Sequence, residues 1–177
     1  MGASGAAGGG GVVSVVIAGL GGQGVLKASD ILSEAAFAAG LDVKKSEVHG
    51  MSQRGGSVAS DVRFGAKVYS PMAPVGEADY LVVLAEDQVE VFRHRLSPRG
   101  ELIEPKRLAG AGEKVNDRVV NVALLGVLAE RLGLGEGQGL TEAHWGAALR
   151  KCLPAKHLAM NERAFAAGRE AGRREGG

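Results

Sequence analysis

Two short segments carry most of the residues that could do chemistry. The first, GLGGQG, runs from Gly19 to Gly24 and fits the pattern G-x-G-x-x-G. Glycines at this spacing permit a tight turn and let a phosphate or a ligand's main chain approach closely. The pattern does not choose between a dinucleotide, coenzyme A, a partner's loop and a turn that binds nothing. The candidate cofactor-binding residues here are Gly19, Gly21, Gly22, Gln23 and Gly24.

The second segment, EVHGMSQRGG, runs from Glu47 to Gly56 and places an acid, an imidazole, an amide, a guanidinium and three glycines within ten residues. His49 is the candidate catalytic residue, as an acid, a base or a hydrogen-bond donor. Arg54 could pair bidentately with a phosphate or a carboxylate. The alternative interpretation is a polar turn between two strands. The further candidate binding residues are Ser52, Gln53, Arg54, Gly55 and Gly56.

Glu47 supports a different function. It lies 23 residues after Gly24, near the position where dinucleotide-binding folds place the carboxylate that binds a ribose. A stand-alone dinucleotide-binding module or an NAD-dependent dehydrogenase is therefore the alternative to any function that depends on a partner chain.

The pattern of apolar residues predicts the elements that hold these segments. A run rich in β-branched residues begins at Val12 and predicts a strand before the glycines. After the glycines, apolar residues recur with helical spacing as far as Ala36 and predict a helix. Together they form the first βα unit of an α/β protein. We predict a Rossmann-like three-layer fold with a mostly parallel sheet, a β-hairpin and a helical C-terminal region.

The remaining elements follow from alternation, helical spacing and turn residues. Strands are expected at residues 42–48, 57–64, 67–70, 79–85 and 101–103, with a hairpin joining 57–64 to 67–70 and a turn at 98–100. Helices are expected at residues 86–95, 117–132, 141–152 and 157–173. Thr141 is predicted to cap its helix without a capping box, because no Glu stands three residues later.

Composition excludes several classes of protein. The chain has 177 residues, 21 basic and 20 acidic, with 4% aromatic residues, which does not favour nucleic acid or a membrane as partner. Cys152 is the single cysteine, so this chain alone cannot hold a cysteine-ligated cluster or a disulfide. The histidines lack metal-ligand spacing, and no metal site is predicted. We expect a flexible Gly-rich tail at residues 1–11, one domain at 12–177, and a cytoplasmic protein.

These motifs resemble the gamma-type domain of the 2-oxoacid:ferredoxin oxidoreductases. The similarity lies in GLGGQGV from Gly19, EVHGMSQRGG from Glu47, KVYSP from Lys67, GEADYLV from Gly76 and NVALLGVLA from Asn121. The segment NERAFAAG near the C-terminus also resembles the family. HGMSQRGG points to the arylpyruvate branch, and the closest resemblance is to the beta subunit of indolepyruvate ferredoxin oxidoreductase.

The resemblance implies a subunit that is catalytic only within a complex. Such an enzyme oxidatively decarboxylates a 2-oxoacid on thiamine diphosphate with Mg²⁺, passes electrons through [4Fe–4S] clusters to ferredoxin, and forms an acyl-coenzyme A. No cofactor is assigned to this chain alone, although the Gly19–Gly24 loop could hold part of coenzyme A. The implied partners are a larger subunit bearing thiamine diphosphate and the clusters and, through the complex, ferredoxin. His49 would lie near the thiamine site.

Overall fold

A five-stranded sheet with the order β2-β3-β1-β4-β5 forms the centre of the computed structural model, which describes residues 11–49, 56–111, 115–133 and 139–175. The strands are β1 Val13–Leu20, β2 Asp42–His49, β3 Ser57–Gly65, β4 Ala78–Val83 and β5 Leu96–Ile103. The helices are α1 Val25–Ala38, α2 Val89–Phe92, α3 Val120–Leu132, α4 Glu142–Cys152 and α5 Ala155–Arg174. Short 3-10 helices cover Glu86–Gln88, Arg93–Arg95 and Pro105–Leu108.

Strand directions confirm a mostly parallel sheet. β1 pairs in parallel with β4, and β4 with β5, whereas β3 pairs antiparallel with both β1 and β2. Only β3 therefore runs against the other four strands. The carboxyl ends of β1, β2, β4 and β5 meet at one edge of the sheet, which we call the carboxyl edge.

One face of the sheet is covered by long helices. Val15 and Ile17 of β1 and Val62 of β3 share one buried cluster with the inner residues of α1 and α3. α4 packs on α1, and α5 packs on α3. Gly126 and Gly168 let α3 and α5 approach closely. A Cβ on Gly168 would overlap the Ala123 carbonyl oxygen, so a larger residue there would push the two helices apart. We call this side the helical face.

The opposite side, which we call the thin face, has a much lighter cover. Val16 and Ala18 of β1 point to this side and form a smaller cluster with Val89 of α2. The cover consists of the short helical segments between residues 86 and 95 and of the loop at residues 66–77. The predicted third layer is therefore present but thin, and the α/β class is confirmed.

The predicted hairpin between residues 57–64 and 67–70 is wrong. β3 pairs with β2, to which it is joined through residues 50–56, and residues 67–70 form no strand. The physical reason is that carboxylate side chains accept hydrogen bonds from backbone N–H groups after β3, which a strand would otherwise use in pairing. Asp42 Oδ2 accepts a hydrogen bond from the Val68 N–H at 2.8 Å, and Asp61 Oδ2 accepts one from the Ala73 N–H at 2.9 Å.

Other local expectations need smaller corrections. The predicted helix at 86–95 is a succession of short 3-10 and α segments, and the predicted turn at 98–100 lies inside β5. The pairing of β4 with β5 shifts register between Ala78 and Tyr80, and the residues predicted to form a turn are the extra residues of β5 at this irregularity. The helix expected from residue 117 begins at Val120, and the last helix begins at Ala155.

Thr141 caps α4 as predicted, but the expectation that it lacks a capping box is wrong. The Thr141 side chain accepts a hydrogen bond from the His144 N–H, and the Thr141 N–H donates to His144 Nδ1 at 3.0 Å. An imidazole nitrogen thus takes the place of the Glu or Gln oxygen usual at this position. The expected tail at residues 1–11 lies outside the described residues, apart from Gly11.

Candidate functional site

The Gly19–Gly24 segment lies at the carboxyl edge, directly after β1. α1 leaves this loop toward the helical face, whereas the short helices after the neighbouring β4 pack on the thin face. The connections after β1 and β4 therefore diverge to opposite faces. We call the region between these two strand ends the crevice, because in open α/β sheets such a switch point is the usual place for a ligand.

Backbone conformation explains two of the glycines. Gly22 and Gly24 have φ angles of 90° and 84°, a region that side-chain-bearing residues rarely adopt. Gln23 braces the loop, since its Oε1 accepts a hydrogen bond from the Leu20 N–H at 2.7 Å, and its role as a ligand contact stays a prediction. A Cβ on Gly19 would lie 2.8 Å from that same oxygen. The loop is thus held in one shape, with residues 21–23 exposed.

The second predicted segment reaches the loop through Gly56. The Gly21 N–H donates a hydrogen bond to the Gly56 carbonyl oxygen at 2.9 Å, so the end of EVHGMSQRGG contacts the glycine loop. Ser52, Gln53, Arg54 and Gly55 lie outside the described residues, and their assignment as binding residues stays a prediction. The glycine loop and the last residue of the second segment therefore meet at the carboxyl edge.

Two helix N-termini converge on the loop. Gly24 is the N-cap of α1, which has no side-chain cap and no acidic residue in its first turn. Asn121, in the first turn of α3, donates from Nδ2 to the Gly24 carbonyl oxygen at 3.2 Å. A Cβ on Gly24 would clash with that amide. Both helix dipoles therefore place their positive ends at this point, which favours an anionic ligand.

Arg118 adds a formal positive charge to this region. It is exposed in the turn that leads into α3, three residues before Asn121. In the part of the chain that the structure describes, Arg118 has no acidic partner, and its main-chain N–H donates to Asn116 Oδ1 at 3.0 Å. Its guanidinium is consequently available for a phosphate or a carboxylate.

The thin-face wall of the crevice contains a buried polar pair. Ser57, at the start of β3, donates from its hydroxyl to Gln88 Oε1 at 2.6 Å, and Gln88 is buried. Sequence reasoning missed Ser57, Gln88, Asn121 and Arg118 as neighbours of the glycine loop. A signal existed for Asn121, which opens the similar segment NVALLGVLA, but its contact with Gly24 spans 97 residues.

His49 is exposed at the carboxyl end of β2. It pairs in register with Val58, which in turn pairs with Gly19. Two strand spacings, about 10 Å, therefore separate the backbones of His49 and Gly19. His49 belongs to the same edge as the loop without contacting it, and its catalytic role stays a prediction.

The geometry of Glu47 argues against the dinucleotide interpretation. β3 lies between β2 and β1, so Glu47 is not on the strand next to the glycine loop. Its carboxylate is also engaged with the Lys45 ammonium at 3.0 Å, and Lys45 contacts Asp30 as well. Burial alone would lower the pKa of Lys45, but hydrogen bonds to Asp30 and Glu47 outweigh it and raise that pKa.

A separate cleft of about 520 Å³ lies between α1, β2 and the end of α4. Its walls include Cys152, Phe37 and three lysines, and Lys27 donates from Nζ to the Cys152 carbonyl oxygen at 3.0 Å. Burial, with the nearby carboxylates of Glu34 and Asp30, raises the pKa of the Cys152 thiol. A raised pKa disfavours the thiolate, which is the reactive form of a cysteine side chain.

Among the described residues, no helix is long and apolar enough to cross a bilayer. The same residues contain no group of three or more His, Cys, Asp or Glu side chains that could hold a metal ion. Around Gly24, the described residues supply two helix N-termini and the Asn121 amide, groups that favour an anion.

Known proteins match both the sequence and the fold. The model of the family described as pyruvate ferredoxin/flavodoxin oxidoreductase matches residues 14–171. The indolepyruvate oxidoreductase subunit IorB of Thermococcus kodakarensis is 52% identical over 81 residues, which are 46% of this chain and 39% of that protein. The common gamma subunit of the pyruvate/ketoisovalerate oxidoreductases of Pyrococcus furiosus is 29% identical over 156 residues, 75% of this chain and 84% of that protein. The matched region thus spans less than half of the IorB relative.

Solved structures share the fold at low sequence identity. The gamma subunit of a keto/oxoacid ferredoxin oxidoreductase from Geobacter sulfurreducens has a TM-score of 0.68 at 19% identity, covering 93% of this chain and 98% of that one. A 2-oxoglutarate:ferredoxin oxidoreductase from Magnetococcus marinus, with 2-oxoglutarate, coenzyme A and succinyl-CoA bound, has a TM-score of 0.73 at 20% identity. That match covers 92% of this chain but only 31% of the other, so the same fold also occurs inside a much longer polypeptide.

Proposed function

This chain belongs to the pyruvate ferredoxin/flavodoxin oxidoreductase family, and we propose that it is one subunit of a 2-oxoacid:ferredoxin oxidoreductase acting on indolepyruvate or another arylpyruvate. The identity with IorB subunits supports the arylpyruvate class. The enzyme would oxidatively decarboxylate the oxoacid to an acyl-coenzyme A and pass the electrons to ferredoxin. We place it in the cytoplasm, where such substrates and carriers occur.

The larger partner subunit would carry thiamine diphosphate and the iron–sulfur clusters. Thiamine diphosphate with Mg²⁺ supplies the decarboxylation chemistry and [4Fe–4S] clusters accept the electrons. A chain with the single cysteine Cys152 cannot ligate such a cluster. The contribution of this subunit is therefore to bind and orient a substrate at its carboxyl edge.

We assign the Gly19–Gly24 loop to a phosphate of coenzyme A. The observation that carries this assignment is the convergence of the α1 and α3 N-termini on Gly24, joined by the Asn121 hydrogen bond. Phosphates bind well where unpaired N–H groups and helix dipoles meet. Arg118 would add a charge-assisted hydrogen bond, and Arg54 would approach from the second segment. His49 would serve as a hydrogen-bond donor or an acid near the reacting centre.

The test compares two exposed arginines in the reconstituted complex. Arg118→Ala should raise the KM for coenzyme A about 10- to 100-fold, the range expected for one lost charged hydrogen bond, with little change in kcat. Arg99→Ala is the matched control, because Arg99 is exposed near the start of β5, at the opposite edge of the sheet. The assay is arylpyruvate-dependent reduction of a viologen dye at varied coenzyme A.

Three outcomes have distinct meanings. An equal KM for both variants would remove coenzyme A from this loop but leave the subunit assignment standing. A chain that neither binds a larger subunit nor supports dye reduction would contradict the proposed function itself. Tight binding of NAD by the isolated chain, lost in Glu47→Ala, would establish the dehydrogenase alternative that the position of β3 disfavours.

A further inference from the structure

The loop between β3 and β4 is unusually apolar for an exposed segment. Residues 68–76, VYSPMAPVG, contain no charged side chain. Tyr69 is 87% exposed, Val75 71% and Met72 47%. Of the seven large hydrophobic side chains exposed among the described residues, five lie on this loop or elsewhere on the thin face: Val48, Tyr69, Met72, Val75 and Val91. Large groups of exposed apolar side chains are rare on monomeric proteins, and they often mark a surface that binds another protein.

Buried charges fix the backbone of this loop to the sheet. Asp61, on β3, is 1% exposed and accepts from the Ala73 N–H and from Arg95 at 2.6 Å. Arg95 in turn donates to the Ala73 carbonyl oxygen. Arg63 donates to the carbonyl oxygens of Ser70 and Met72. The buried side chains of Asp61 and Arg95 and the partly buried Arg63 thus fix the backbone of an exposed loop that carries no charge itself.

Such an arrangement is costly for an isolated domain. The Asp61–Arg95 pair loses hydration on burial, and Asp61 Oδ1 and Arg95 Nε have no hydrogen-bond partner among the described residues. The outward side chains gain no burial in return. The cost is offset when a partner covers the loop, because a loop that is already ordered loses little further entropy on binding.

We propose that residues 68–76 form the centre of the surface that binds the larger subunit of the enzyme, a conclusion that rests on the proposed function. Tyr69, Met72 and Val75 enter an apolar depression of the partner, since exposed Tyr and Met side chains on a rigid backbone are typical interface anchors. Lys67 and Glu77 flank the uncharged stretch at its two ends. The partner surface therefore has an apolar centre with an acidic group opposite Lys67 and a basic group opposite Glu77.

A second copy of this chain is a poorer fit than a different protein. A stable interface takes about 20–30 residues from each side, whereas this loop offers nine, so any stable partner must also contact residues beyond the loop. A larger partner can extend past the loop over Val48 and Val91 on the same face. The fold also occurs as 31% of a longer polypeptide, so it is found joined to a larger body of protein.

The experiment measures binding of the full chain to the purified subunit of the same organism that carries thiamine diphosphate and the clusters. Tyr69→Asp combined with Val75→Asp should weaken the Kd by at least about 100-fold, because two anchors are lost. Phe37→Asp is the matched control: Phe37 is 70% exposed, but on α1 at the helical face. Thermal unfolding of all variants should match the wild type, since none of these side chains is buried.

A second variant separates the ordering of the loop from its side-chain contacts. Arg63→Met removes the hydrogen bonds to the carbonyl oxygens of Ser70 and Met72, together with the one to Ser14 Oγ on β1, and leaves every apolar anchor in place. We expect a Kd weakened about 10-fold through lost preorganisation, together with faster proteolysis within residues 66–77.

The outcomes distinguish this inference from the function on which it rests. If the wild type binds and the Tyr69/Val75 variant binds equally well, the loop is not the docking surface, although the subunit assignment stands. Weakening by Phe37→Asp alone would place the interface on the helical face. A wild type that does not bind the larger subunit contradicts the proposed function, and self-association abolished by the loop variant would identify a second copy as the occupant.

Discussion

On one face of the sheet, four long helices bury a large cluster of aliphatic side chains that includes Trp145 and Phe165, whose ring centroids lie 5.4 Å apart. On the other face, a smaller cluster under short helices is supplemented by the buried pair of Asp61 and Arg95. The helical face thus depends on close packing, whereas the thin face depends on a few directional polar contacts. On the helical face most apolar side chains are used in packing between helices, so few remain to contact a partner. On the thin face, hydrogen bonds hold the backbone of the loop, and its apolar side chains can point toward solvent.

This contrast also explains why the candidate site lies where the two faces meet. The crevice at the carboxyl edge takes the glycine loop, Gly24 and Asn121 from the helical face, and Gln88 from the thin face. A ligand there would contact both kinds of cover. Variants that act on one face only can therefore separate stability, partner binding and ligand binding.

The largest effect is expected at the buried ion pair of the thin face. Asp61→Ala leaves the Arg95 guanidinium buried without its counter-charge and should lower the free energy of unfolding by about 3–5 kcal/mol in urea denaturation. Asp61→Leu combined with Arg95→Met removes both charges and should recover most of that loss. Glu90→Ala breaks the exposed Arg93–Glu90 pair and should leave stability unchanged. A double variant as unstable as the single one would show that the hydrogen bond to Ala73, not the charge, dominates.

The corresponding variant of the helical face is Gly168→Ala. The new Cβ would overlap the Ala123 carbonyl oxygen and force α5 away from α3, with an expected loss of about 3 kcal/mol. Gly146→Ala is the control within a helix, since its Cβ would meet only the mobile Arg150 side chain. That control should gain about 0.5–1 kcal/mol from helix propensity. Equal unfolding midpoints for the two variants would contradict close α3–α5 packing.

A smaller effect is expected where the faces meet. Gly24→Ala should cost about 1–2 kcal/mol for the left-handed conformation, plus the overlap with Asn121. Gly22→Ala has the same conformational cost but nothing within 4 Å of its Cβ, so it should be the milder variant. Adding Asn121→Ala to Gly24→Ala should relieve the overlap while losing the hydrogen bond to the Gly24 carbonyl. Chemical denaturation measures all three, and a Gly22→Ala at least as damaging as Gly24→Ala would contradict the close contact between Gly24 and Asn121.

The smallest effect concerns the cleft on the helical face. Because burial and two carboxylates raise the pKa of Cys152, its alkylation by iodoacetamide should begin at higher pH than that of a free thiol. Glu34→Gln should move the profile part of the way back, and Glu162→Gln, an exposed change on α5, should not. The folded thiol holds its proton more tightly than the unfolded one. Its contribution to stability is therefore present below the unfolded pKa and is lost as pH rises through the folded pKa.

Much of the fold was predictable because it is encoded locally. Alternating β-branched residues, glycine turns and helical spacing placed β1, α1, β2, β4 and the last two helices within a few residues of their observed bounds. The errors fall where distant groups outweigh local preference. Residues 67–70 look like a strand, but the carboxylates of Asp42 and Asp61 take hydrogen bonds from this loop. His144 completes a capping box that the usual Glu pattern does not describe.

The candidate site divides in the same way. The sequence by itself determined the glycine loop after β1, because a strand-to-helix turn and φ-positive glycines are properties of a few adjacent residues. It also placed the start of EVHGMSQRGG at the end of the next strand, where Glu47 and His49 belong to β2. Only the tertiary structure decided that Asn121 reaches Gly24, that Gln88 binds Ser57, and that β3 separates Glu47 from the loop. These contacts join residues that lie far apart along the chain, and their geometry is set by sheet order and helix packing, which no local pattern specifies.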